Sequence, residues 1–330
     1  MEIHGLGDAS LAPRGARVQT SPRAGKLTRL GRALTWPFRT QADVLLTIDP
    51  DTSLSALMAA RLRRRKWVAD VHEDYAALLK DRDWVPRPLL AVLQGAVGLL
   101  NRMIRGADLV LVADEHVPPR TAPSRYVMRN EPDFTLLPEL AQAADSPPWR
   151  AVYIGDNRAS RGLRTMVEAV AATAADEQPW HLDIVGPVAE ADAGWLRERL
   201  TQPDCARIAA HGRQAPKRSW EIAEGADVGF CLLANTPAFA EAMPSKIYEY
   251  LACGMPTIAT PLPRVAELLH RTGAGVLVDS VAETTMALRH FASQPGLRAQ
   301  LRAAAREAGE VARHRRNTYD AAAELIVGLP

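Results

Sequence analysis

The chain has 330 residues, 47% of them apolar and 24% charged, with a formal net charge of +2. This balance excludes a disordered chain and a general electrostatic grip on nucleic acid, and the length suits about two domains of roughly 150 residues, each able to bury a core. No apolar run reaches the roughly 18 residues that span a bilayer, the first residues lack the basic-then-apolar pattern of a secretory leader, and Cys205, Cys231 and Cys253 have neither disulfide nor zinc spacing. A reducing cytoplasm is the simplest compartment.

Short apolar strands alternate with helical stretches, the pattern of parallel sheets covered by helices on both faces. The first strand signals are 2–6 and 42–48. A helix follows over 53–65 with Thr52 or Ser53 as cap, then a strand over 67–71. Leu89, Leu93, Val97, Leu100 and Ile104 share one face of a long helix that stops at Gly106, before a strand at 108–112. Residues 1–66 hold twelve Lys or Arg, five of them within 61–66, against five Asp or Glu. Such a front end suits an anionic acceptor or membrane headgroups, but a solvated helix face is the plainer reading of the same charges.

Prolines then cluster between Pro132 and Pro148, which marks a linker. Beyond it, strands are predicted at 151–154, 181–185, 207–210, 227–232, 256–260 and 275–278, with a helix over 162–172 and a helical tail over 295–329. The organisation expected is a first domain at 1–133, a linker at 134–150, a second domain at 151–314, and a terminal helix at 315–330 that packs back on the first domain. Ligands of such sheets sit at the carboxyl ends of the strands.

Two segments there suit an anion. The loop from Gly155 to Gly162 runs from a strand into a helix, whose N-terminus offers free N–H groups and a positive dipole end, with Arg158 and Arg161 adding charge. It has neither the Walker ending nor the dinucleotide glycine pattern. Two surface arginines on a polar loop are the plain alternative. In the stretch from Glu241 to Glu249, Pro244 suits the first helical position and Gly254 the stop. Ser245 and Lys246 join the first-turn N–H groups. Glu249, about a turn inside, can accept two hydrogen bonds from a vicinal diol such as a ribose, although an isolated Glu is usually a surface residue. His72 ends the strand at 67–71 and could donate to a sugar hydroxyl or assist proton transfer. Asp49-Pro50-Asp51 and Asp81-Arg82-Asp83 fit turns, and no metal is assigned to them.

The segment 243–260, with 265–268 and 273–278, resembles the donor-binding half of the retaining glycosyltransferases of family 4. Glu241 and Glu249 match that family's Glu-x7-Glu motif, and Tyr153-Ile154-Gly155 with Arg161-Gly162-Leu163 is similar to its loop after the first strand of that half. Asp70-Val71-His72-Glu73 is similar to its His-bearing loop. The resemblance implies a GT-B fold, two Rossmann-like doubly wound domains facing a central cleft. It implies Glu249 at the nucleotide ribose, Glu241 and His72 at the donor sugar as catalytic residues, and Gly155, Arg158, Arg161, Ser245 and Lys246 at the diphosphate. The implied activity is metal-independent and needs no cofactor: a hexosyl group moves from a nucleotide-diphosphate sugar to a hydroxyl of a glycan, a lipid-linked glycan or a small metabolite. The basic first domain would add peripheral contact at the inner face of the membrane. A nucleotide-sugar epimerase and a degenerate, non-catalytic relative remain alternatives. The family normally begins with a further strand, glycine-rich loop and helix; here residue 1 enters near the second strand, so about one strand–helix unit is expected to be missing.

Overall fold

The computed structural model describes residues 1–6, 15–21, 25–48, 50–79, 87–129, 131–138, 146–236, 239–240, 242–314 and 317–329. The chain divides into two compact units, residues 1–130 with 316–330, and residues 131–315.

In the first unit, strands β1 (Glu2–Leu6) and β2 (Arg17–Ser21) form a parallel pair of their own. Helix α1 (Lys26–Arg39) follows, an element the sequence did not announce: Pro37 lies inside it, and Ala33 and Pro37 are buried. A separate four-stranded parallel sheet has the order β3 (Val44–Ile48), β4 (Lys66–Val71), β5 (Leu109–Val112), β6 (Arg125–Val127). Between its strands run α2 (Ser53–Arg63), the short α3 (Tyr75–Leu78) and α4 (Arg87–Ile104). β4 is central and reads as a nearly continuous buried run, as expected for a strand covered on both faces. On one face Leu45, Trp67, Ala69, Val71, Val110 and Val112 pack with Ala56, Ala59 and Ala60 of α2, and the Trp67 indole N–H donates to the Thr47 hydroxyl at 3.0 Å. On the other face Val68, Leu109 and Leu111 pack with Ala322 and Ile326. These last two belong to the final helix (Thr318–Val327), which joins this unit through the rest of the chain.

Two details differ from the sequence reading. Leu89 shares its spacing with the buried side of α4 but is 51% exposed, because the helix begins to bury only further along. The basic run at 61–66 is partly engaged inside the unit: Arg63 and Arg65 donate to the Thr40 carbonyl at 3.2 and 2.6 Å, and Lys66 pairs with Asp108 at 3.3 Å.

The second unit is a six-stranded parallel sheet of order β12-β11-β10-β7-β8-β9. Its strands are β7 (Trp149–Ile154), β8 (Trp180–Val185), β9 (Ile208–Gly212), β10 (Val228–Cys231), β11 (Thr257–Ala259) and β12 (Gly275–Leu277). The helices are α5 (Leu163–Ala171), α6 (Glu190–Arg199), α7 (Pro216–Ala223), α8 (Ser245–Ala252), α9 (Pro263–Thr272), α10 (Val281–Ser293) and α11 (Pro295–His314). Trp149, Trp180 and Phe291 meet with ring centroids 5.6 to 6.4 Å apart. Each such ring contributes more than its area alone. The strand predicted from 151 starts at Trp149, since Trp149 and Arg150 already pair with Trp180 and His181 of β8. Phe134, Leu136 and Leu137, within the segment read as linker from its prolines, pack on this unit's core. The helical tail read over 295–329 is two helices, the second (α12) capped by the Asn317 side chain, which accepts from Tyr319 N–H at 2.7 Å.

Candidate functional site

The chain of the second unit runs β7, β8, β9 to one side and then returns to place β10 against the other side of β7. The order reverses at β7 and β10, and the crevice at the carboxyl ends of strands beside such a reversal is where doubly wound sheets hold ligands. A cavity of about 280 Å³ lies at these carboxyl ends, lined by Gly155, Gly186, Pro187, Arg213, Gln214, Trp220, Lys246 and Glu249 among others.

Its floor depends on close backbone approach. The Gly155 N–H donates to the Val185 carbonyl at 2.9 Å, and the Gly186 N–H to the Gly212 carbonyl at 2.8 Å. Gly186 has φ +127°, and a Cβ there would sit 1.8 Å from the Gly155 oxygen, so no other residue fits without moving the loop. Asn157, fully buried, ties the same loops: its N–H donates to the Pro187 carbonyl at 2.8 Å and its side-chain amide to the Gly155 carbonyl at 3.2 Å. Sequence reasoning passed over Asn157, since a polar loop residue carries no sign of burial.

The arginines of this loop separate. Arg161 is half-buried, and its Nε is enclosed with no acceptor among the described residues. Its guanidinium neighbours the Tyr153 phenol, which burial pushes up to about 12 against the opposing pull of that positive charge. Arg158 instead pairs with the Asp156 carboxylate at the loop surface, and neither arginine is among the residues that line the cavity. One of the amides expected for an anion is also occupied: the Ala159 N–H donates to the Asp192 carboxylate at 2.9 Å.

Helix α8 carries the other half of the site. Tyr250 is fully buried, and its hydroxyl accepts from the Ile154 N–H at 3.1 Å. Its ring fills the space over Gly229, where a Cβ would meet the ring at 2.4 Å. With Leu251, also buried, it packs α8 on the sheet and fixes the residues beside it. Pro244 caps the helix from just outside, Ser245 opens it, and Gly254, at φ +69°, ends it. Lys246 Nζ donates to Glu249 Oε2 at 2.5 Å and lies 5.7 Å over the Trp220 ring. Both side chains line the cavity, so the cation and the carboxylate are held together at its wall. Arg213, Gln214 and Trp220, which also line it, were not singled out from the sequence, because neither their type nor their spacing marks them. Glu241 lies outside the described residues, as do Asp49, Asp81 and Asp83 of the two Asp-x-Asp matches. Among the described residues, no group of three or more His, Cys, Asp or Glu gathers as a metal site would require.

His72 belongs to the first unit. Its Nε2 lies 3.0 Å from Asp70 Oδ2, and Asp70 is 6% exposed. The buried carboxylate fixes the orientation of the ring. The neighbouring Asp74 acts as a helix cap, accepting from the N–H groups of Ala76 and Ala77 at 3.0 Å.

Residues 149–294 match the family described as glycosyl transferases group 1. No curated protein matches the chain. Among solved structures, the chain is similar to Anabaena Alr3699/HepE in complex with UDP-glucose (14% identity, 98% of each chain covered, TM-score 0.70). It is also similar to sucrose-phosphate synthase from Thermosynechococcus elongatus (14% identity, 93% of this chain and 78% of that one, TM-score 0.65). A glycosyltransferase from Rickettsia africae ESF-5 matches at 13% identity, 94% and 84% coverage and TM-score 0.66. The likeness to these structures shows the fold, that of the GT-B glycosyltransferases, and the family match falls within the second unit, on residues 149–294.

Proposed function

We propose, for a chain whose residues 149–294 match the glycosyl transferases group 1 family, that it is a retaining glycosyltransferase that moves a hexosyl group from a nucleotide-diphosphate sugar to an acceptor hydroxyl, with neither metal nor cofactor. The observation that carries this reading is the cavity at the β7/β10 reversal, which joins a half-buried carboxylate, Glu249, to the start of α8 and to Lys246. Glu249 keeps one oxygen on Lys246 and offers the other to a ribose diol. Lys246 has three N–H donors and uses one on Glu249, which leaves others for a phosphate oxygen. The enclosed Nε of Arg161 is a donor in want of an oxygen. As the glycosidic bond stretches, the leaving diphosphate gains negative charge, and fixed cations and a helix N-terminus aimed at it stabilise the transition state without a metal.

Ser245, at the first turn of α8, supplies a backbone N–H beside Lys246, whereas Gly155, whose own N–H is held by the Val185 carbonyl, gives close backbone approach at the cavity. The Asp156 pairing leaves Arg158 a lesser share of the diphosphate than Arg161. His72 and Glu241 are assigned to the sugar on the strength of the family resemblance. Since the HepE structures hold UDP, glucose or UDP-glucose, a uridine nucleotide is the first donor to try.

A thermal-shift panel of UDP, GDP, ADP and dTDP identifies the base, because a ligand of the native state stabilises it by mass action. Incubation of the matching nucleotide sugar with and without an acceptor hydroxyl then separates the chemistries. A transferase releases nucleoside diphosphate in step with a glycosylated product of unchanged anomeric configuration. Conversion of the sugar without any acceptor would make the protein an epimerase and overturn the proposal.

A further inference from the structure

Trp220 of α7 lines the cavity and yet is only 5% exposed. The sheet and α8 bury it. Val152, Ile154 and Val185 share its core cluster, and the Tyr250 ring meets it with centroids 6.1 Å apart at an interplanar angle of 71°. One further contact is of a different kind: the Lys246 ammonium lies 5.7 Å over the centre of the Trp220 ring while Nζ donates to Glu249 Oε2 at 2.5 Å. The cation is therefore held from two directions, by a carboxylate of its own helix and by a ring from another helix.

The two holds differ in what they leave for a ligand. A second acid in place of the ring would fix Lys246 as firmly, but it would put excess negative charge where a diphosphate has to bind. An aromatic ring attracts the ammonium through its quadrupole and carries no net charge, so it fixes the cation without repelling an anion. A loose lysine loses rotamer freedom when it meets a phosphate, whereas one already fixed has little left to lose. The burial of Trp220 also excludes the usual work of a tryptophan in a nucleotide cavity. A ring that stacks on a base has to offer it a face, and at 5% exposure Trp220 has none to offer.

We propose, on the donor-site reading given above, that Trp220 is a positioning residue for the diphosphate. Its ring holds the Lys246 ammonium at the cavity wall, aimed at the phosphate oxygens, and makes no contact with the base.

The test is isothermal titration of UDP and of uridine into the full chain and its variants, with the diphosphate and nucleoside pairs of guanosine, adenosine and thymidine run alongside. Trp220→Leu should weaken the diphosphate about five- to tenfold and the nucleoside by less than about 1.5-fold, since only the diphosphate meets Lys246. Trp220→Phe keeps a smaller aromatic face and should lose about threefold. With Lys246→Met already in place, either change at 220 should alter diphosphate affinity by less than about 1.5-fold, because the ring then has no cation to hold. A ring that only supported the fold would neither single out the diphosphate nor depend on Lys246. Thermal midpoints are read for every variant, and if the leucine variant does not fold, the phenylalanine cycle decides alone. Equal losses for diphosphate and nucleoside would overturn the proposal. So would an effect at 220 that survives in the Lys246→Met background, or wild-type affinity in folded Trp220→Leu. A wild type that binds none of the four diphosphates would remove the donor-site reading and this inference with it, whereas any of the other three results with a wild type that binds would remove the inference alone.

Discussion

The two units are built from the same parallel βαβ logic and differ in how completely they close. In the second, a six-stranded sheet is covered on both faces, with Trp149, Trp180, Tyr250, Phe230 and Phe291 all buried. In the first, the strands divide into a pair and a separate four, and the edge strand β3 leaves Leu46 and Ile48 45 and 58% exposed. The second unit therefore sets its cavity on a closed core through Gly155, Gly186, Trp220 and α8, while the first leaves apolar side chains of its edge strand at the surface.

The contrast breaks most visibly at the pocket floor. Gly186→Ala drives a Cβ into the Gly155 oxygen at a φ that L residues rarely adopt. It should cost about 3 kcal/mol or more of stability, read as a fall in the thermal midpoint, together with loss of nucleotide binding. A change on the open side, Leu46→Ser, should stay within about 0.5 kcal/mol. Near-equal costs would mean that the second unit is no more tightly specified than the first.

The arginines of the loop after β7 sharpen the comparison. Arg161→Ala should weaken donor binding or turnover by about 10- to 100-fold, the worth of a charged hydrogen bond of roughly 1.5–3 kcal/mol. Arg158→Ala should change either by less than about fivefold, because that guanidinium is exposed and paired with Asp156. A reversed order would move the anion site to the loop surface.

Burial of Tyr153 has a pH signature. Its phenol has a folded-state pKa of about 12, above the ordinary value of 10.0. The unfolded chain loses that proton first, so stability is whole below pH 10 and falls as pH rises toward 12. The loss from this group is on the order of 2 kcal/mol. Tyr153→Phe should flatten the stability profile over that range by one proton's slope, as measured by urea unfolding at a series of pH values. An unaltered slope would mean that the phenol is not enclosed.

The smallest expected binding effect is across units: His72→Ala should lower sugar transfer while leaving nucleoside diphosphate affinity within about twofold of wild type. A large loss of nucleotide affinity would contradict its assignment to the sugar.

Much of the second unit was legible in the sequence because its signals are local. A short apolar run followed by glycine, or proline before a helical period, reports strands and caps directly, and β7 through β12 fall within one or two residues of their predicted places. Glu249 and Lys246 stand out in the sequence by their place on the helix after Pro244, and the structure lines one cavity with both. What sequence could not show depends on contacts far along the chain. Asn157 is buried by the loop at Pro187, Arg158 is drawn to Asp156, and Asp192 reaches from α6 to occupy the Ala159 N–H. In the first unit, α1 escaped notice because Pro37 interrupts its otherwise amphipathic pattern, and the split into two sheets has no local signature. Leu89 shows the same limit: periodicity states which residues share a face, and only tertiary packing decides where along that face burial begins.

The central claim is that Glu249, in the cavity at the β7/β10 reversal, grips the ribose of a nucleoside diphosphate. Isothermal titration of the wild type and of Glu249→Ala with UDP, GDP, ADP and dTDP tests it most directly. The account predicts saturable heat from at least one nucleotide with the wild type and about 10- to 100-fold weaker binding with the variant, at an unchanged thermal midpoint for the free protein. Equal affinities in the two proteins, or no heat from any of the four nucleotides with the folded wild type, would contradict it.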